Sequence, residues 1–77
     1  MKIRVPNTVF PTYANFAVID HKKDEVILNF CLAEGTESDP EGILVQKVVM
    51  HPANLKRFHT TVGELLEEYQ VRYGPLE

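Results

Sequence analysis

The fold turns on residues 43–58, Ile43-Leu44-Val45-Gln46-Lys47-Val48-Val49-Met50-His51-Pro52-Ala53-Asn54-Leu55-Lys56-Arg57-Phe58, because the apolar period changes inside them. Up to Met50 the stretch is rich in β-branched residues and alternates. Ile43, Val45 and Val49 face one way, and Leu44, Val48 and Met50 face the other. Gln46 and Lys47 put one polar group on each face. The spacing predicts a strand over 43–50. At His51-Pro52 the period switches. Pro52 suits the first position of a helix, where its missing N–H is not needed. From there the apolar positions are Leu55, Phe58, Val62, Leu65, Leu66, Tyr69 and Tyr73, spaced by threes and fours as one helical stripe. Gly74-Pro75 ends the stripe. A helix over 52–73 follows.

Upstream, Thr12 to Asp20 reads as a strand carrying Tyr13, Phe16, Val18 and Ile19. Asp20-His21-Lys22-Lys23-Asp24 reads as a short charged turn, and Glu25 to Ala33 as a second strand. In that strand Val26, Leu28, Phe30 and Leu32 share one face, and Ile27, Asn29, Cys31 and Ala33 the other. It is apolar on nearly both sides. Residues 34–42, with two glycines, a proline and four carboxylates, read as a loop. Residues 1–11 form a lead-in bracketed by Pro6 and Pro11, in which Lys2-Ile3-Arg4-Val5 alternates enough for an optional fourth edge strand. The expectation is a single α+β domain over 1–77, β-β-β-α. Its lead-in spans 1–11, its three- or four-stranded antiparallel meander 12–50 and its helix 52–73.

That arrangement leaves a mismatch. One helix covers one face of a sheet whose centre is apolar on both faces, and an exposed apolar sheet face is unusual for a monomer. A second copy of the chain resolves it most simply. On the helix, Lys56 and Arg57 are placed in the first turn, where the macrodipole disfavours cations, and Glu64, Glu67 and Glu68 in the second half. An antiparallel copy would set Lys56 and Arg57 against its Glu67 and Glu68, with Gly63 near the crossing. Phe30, Val62, Leu65, Leu66 and Tyr69 are the residues expected to carry association.

Composition narrows the function classes. The 77 residues hold 8 Lys+Arg against 11 Asp+Glu, a formal net charge of −3, with one Cys and no Trp. Area scaling for a compact chain of this mass predicts that roughly 60–65% of the unfolded surface is buried. There is no apolar run near ~18 residues for a membrane span, and no apolar segment of a secretory signal at the N-terminus. One cysteine makes no internal disulfide, and small chains without such staples often gain stability by associating. An acidic balance argues against general nucleic-acid binding. A free thiol without a signal favours the cytoplasm, in a bacterium or equally in a phage-infected cell.

No catalytic set stands out. Cys31 lies between Phe30 and Leu32, where a thiol is ordinarily a small core residue. His21, His51 and His59 lack the spacing of helical zinc ligands, and no cysteine pair supports them. Glu34, Glu37, Asp39 and Glu41 crowd one loop without the alternation a calcium loop needs. No glycine-rich phosphate loop is present. Lys56 and Arg57, at the start of the helix, are the candidate anion site, with Lys22, Lys23 and Lys47 as its neighbours in a local basic patch. Tyr13, Tyr69 and Tyr73 are available to stack on a base. No metal or cofactor is expected.

Several short motifs carry a resemblance. Tyr13-Ala14-Asn15-Phe16 opens the first strand and Leu28-Asn29-Phe30 lies in the second. Val48-Val49-Met50-His51-Pro52 leads into a helix with Lys56-Arg57-Phe58, then Glu67-Glu68-Tyr69 and Arg72-Tyr73-Gly74. In this order they resemble a family of short bacterial and archaeal proteins classed as a domain of unknown function. Such proteins usually carry Ser or Thr where this chain has His51. They often have Asp in place of Asn29, and Ala in place of Leu55. The His51 departure is expected to remove a good helix cap. The resemblance implies the β-β-β-α order and no reaction. The function expected is a small, non-enzymatic, homo-oligomeric module that binds a protein or peptide. The alternative is a binder of a small anion or nucleotide at a subunit interface.

Overall fold

The computed structural model describes residues 1–77. Strand β1 runs Phe16–His21, β2 Val26–Gly35 and β3 Pro40–Met50, followed by helix α1, Pro52–Tyr73. The strands form one sheet in the order β1-β2-β3, so β2 is central and β1 and β3 each leave an edge open. This is the expected antiparallel β-β-β-α chain, in its three-stranded form. The lead-in makes no fourth strand; Val9 N–H donates to the Pro6 carbonyl at 3.2 Å in a turn instead.

The first strand begins at Phe16, not at Thr12. Asn15 explains the difference. Its backbone N–H donates to Cys31 O at 3.0 Å, while its side-chain Oδ1 accepts from Ala33 N–H at 2.8 Å. A side-chain carbonyl here stands where a backbone carbonyl would continue the ladder. Lys22 N–H donates to Glu25 O at 2.8 Å and closes the first hairpin around Lys23 and Asp24.

The loop expected over 34–42 is much shorter. Strand β2 continues to Gly35 and β3 already starts at Pro40. Thr36 N–H donates to Asp39 O at 3.2 Å and Asp39 N–H returns to Thr36 O at 3.1 Å. Thr36 Oγ1 accepts from the same Asp39 N–H at 3.1 Å. Two backbone bonds around two residues make a tight hairpin, which the charge-rich composition concealed. Gly35, at φ +86°, supplies the backbone bend beside the turn. Pro40 is tolerated because it is the first residue of an edge strand, where no ladder donor is required.

Helix α1 has the expected bounds. The expectation that His51 fails as a cap is wrong. His51 has extended backbone angles, and its Nδ1 accepts from Ala53 N–H at 3.1 Å. A neutral imidazole offers one nitrogen lone pair, which serves as a serine oxygen would. At the other end Gly74 N–H donates to Gln70 O at 2.9 Å. No helix is long and apolar enough to cross a membrane.

The chain divides into two compact units, residues 1–19 with 28–48, and residues 20–27 with 49–77. In the first, Leu28 and Cys31 are buried; in the second, only Val26 is. The parity of burial along β2 changes between Leu28 and Cys31. Only Val26, Leu28 and Cys31 are buried along the whole chain.

Candidate functional site

Helix α1 contains no buried residue. Along its stripe Leu55 and Val62 are half-buried and the rest is open. Exposure is 46% at Phe58, 61% at Leu65, 47% at Tyr69 and 68% at Tyr73. Apart from Phe58, the uncovered stripe residues lie in the C-terminal half. There Leu65, Leu66, Glu68, Tyr69, Arg72 and Tyr73 line a shallow notch, all from this one helix. Tyr69 and Tyr73 are one turn apart, and their ring centroids are 4.9 Å from each other at a 50° tilt. Tilted aromatic pairs at this distance are favourable in their own right. Glu68 and Arg72 are also one turn apart, at the spacing that lets opposite charges meet on a helix surface. The helix therefore presents two aliphatic side chains, two aromatic rings, one anion and one cation. A notch walled by a single helix has no second side to enclose a small molecule.

Of the residues expected to carry association, Leu65, Leu66 and Tyr69 are exposed and come together in the notch. Val62 and Phe30 are half-buried, on α1 and β2 respectively. Tyr73 and Arg72 belong with the notch and were missed, although Tyr73 lies on the same stripe and Arg72 follows Glu68 by four.

The candidate anion site, Lys56 and Arg57, lies beyond the first turn of the helix. Lys56 and Arg57 are the fifth and sixth residues of α1, in its second turn rather than its first. The helix dipole fades over that distance. Arg57 Nη2 donates to Asn54 Oδ1, so its guanidinium is engaged within the helix. Lys22, Lys23, Lys47 and Lys56 are all exposed. A Cβ at Gly63 would meet nothing within 4 Å.

On the sheet, Cys31 is free and buried, and its Sγ lies 3.5 Å from Asn29 O as a weak donor. Asn29 Nδ2 donates to the Val18 carbonyl at 3.1 Å and ties β2 to β1. The acidic residues of the second hairpin do not converge, and no group of three or more His, Cys, Asp or Glu side chains is placed to share a metal ion.

An α+β chain of one three-stranded antiparallel sheet and one C-terminal helix, with its helix face uncovered, is the class this geometry defines. The model of the family described as a protein of unknown function, DUF3467, matches residues 1–77, and the chain belongs to that family. Comparison with curated proteins and with solved structures finds no match.

Proposed function

We propose that the protein is a small, non-enzymatic module that associates with copies of itself and, once assembled, binds a protein or peptide. One observation carries this: only Val26, Leu28 and Cys31 are buried, while large apolar side chains stay exposed on β1, on β3 and along α1. Self-association through α1 leaves the apolar side chains of the strands for something else. That surface includes Val18 and Ile19 on β1, Ile43 and Leu44 on β3, and Phe10 and Tyr13 in the lead-in, all exposed. The open edge of β3, eleven residues long, offers backbone groups to an added strand. A small anion or nucleotide is the weaker alternative, since Arg57 is already engaged by Asn54. The single unpaired cysteine suits a reducing compartment, hence the cytoplasm.

Native mass spectrometry of the full chain, followed by the same sample denatured, tests this. A native mass at a multiple of 8.8 kDa supports self-association. A clean monomer across the micromolar range overturns it. Excess mass that disappears on denaturing would identify a ligand and favour the alternative.

A further inference from the structure

We infer that the notch on the C-terminal half of α1 is the seat of the same helix from a second copy, running antiparallel with Tyr69 at the crossing. This pairing presupposes the self-association proposed above and gives it a place. In an antiparallel pair crossing at Tyr69, each residue faces the one equally far from Tyr69 on the other side. Leu65 then meets the second copy's Tyr73, and Tyr73 meets its Leu65. Glu68 and Arg72 share a flank of the helix, one residue before and three after Tyr69, so Glu68 of each copy lies two residues along from Arg72 of the other, about 3 Å in helical rise and within reach of both long side chains. The patch is complementary to itself, as a two-fold interface requires. Its apolar members are the uncovered ones, Leu65 at 61% and Tyr73 at 68% exposure. A crossing at Gly63 would instead centre on Val62, which is already half-buried. Gly63 also lies off the stripe, with open space around it. A parallel pair would oppose Glu68 to Glu68 and Arg72 to Arg72.

The full chain tests this with variants that each add one cysteine on the helix, the native Cys31 being buried. Oxidised Tyr69→Cys forms a covalent dimer, because Tyr69 lies on the two-fold axis. Leu65→Cys and Tyr73→Cys each stay monomeric on a denaturing gel, since their own copies are too far apart for a disulfide. Mixed, the two form the heterodimer. Leu65→Cys cross-linking to itself would establish a parallel pair and overturn the proposal.

A second pair of variants reads charge. Glu68→Arg and Arg72→Glu each weaken the dimer roughly tenfold at low salt, on the order expected for two adjacent surface pairs turned repulsive. Mixed in equal amounts, they yield heterodimer well beyond the one-half share that random pairing gives, in native mass spectra. Wild-type protein that assembles while all these variants stay un-cross-linked and assemble equally well would overturn the helix pairing and leave self-association standing. Wild-type protein that is monomeric overturns both.

Discussion

The Phe16 ring reaches from β1 across the central strand to Gly42 on β3, so that a Cβ at Gly42 would stand 3.1 Å from its Cζ. A glycine in a strand interior otherwise costs entropy and offers no side chain to pack. Here the missing Cβ makes room for a ring that lies over the sheet.

Gly42→Ala gains about 0.5–1 kcal/mol of backbone stability and offsets it by displacing that ring. In a Phe16→Ala background the displacement is gone and the gain appears in full. Urea unfolding of the four chains is expected to show a coupling of at least ~0.5 kcal/mol. Strictly additive effects would mean the ring and Gly42 do not touch in solution.

Gly35→Ala is the most damaging glycine substitution expected. Its φ of +86° is strained for any L side chain, and a Cβ would collide with the Asp39 carbonyl. The strain alone costs about 1–3 kcal/mol, and the Thr36–Asp39 turn must also open. A loss of thermal stability below ~1 kcal/mol at matched protein concentration would contradict this turn.

His51→Ala removes the acceptor for Ala53 N–H and costs ~0.5–2 kcal/mol of helix stability. His51→Ser keeps an acceptor at that place and holds the loss to a few tenths. Circular dichroism melts of the three chains distinguish them. Equal loss in both variants would show that the imidazole serves as packing, not as a cap.

Asn15→Ala leaves Ala33 N–H without its Oδ1 partner and is expected to cost about 0.5–1.5 kcal/mol, with faster amide exchange at Ala33. Asn15→Asp preserves an acceptor and slows that exchange again. Asn29→Asp acts the other way, since it sets a carboxylate against the Val18 carbonyl that now receives an N–H, and is expected to cost about 1 kcal/mol. Unchanged exchange at Ala33 in Asn15→Ala would remove the side-chain extension of the ladder.

Period alone made much of this fold legible. The change from two to 3.6 at His51-Pro52 is abrupt, and a stripe from Leu55 to Tyr73 has only one helical reading, so the bounds 52–73 were accessible without coordinates. The hairpin after Gly35 was not. Glu37, Ser38 and Asp39 look like any solvated loop, and the two backbone bonds between Thr36 and Asp39 leave no compositional trace. Asn15 was hidden for a similar reason, because a side chain that replaces a backbone carbonyl has no periodicity. Of the candidate site, the stripe was visible and its burial was not. Leu55 and Leu65 are the same residue type on the same stripe, and only tertiary structure makes one half-buried and the other open.

Cys31 gives the protein a built-in clock. Its thiol is the only one in the chain and is buried in the central strand, so a thiol reagent reaches it only in molecules whose sheet has opened. When closing is faster than labelling, the labelling rate is the intrinsic thiol rate multiplied by the equilibrium fraction of open sheet, so rate differences between variants report that fraction. Each strand substitution discussed above would then be timed by alkylation in undenatured protein, with no added probe.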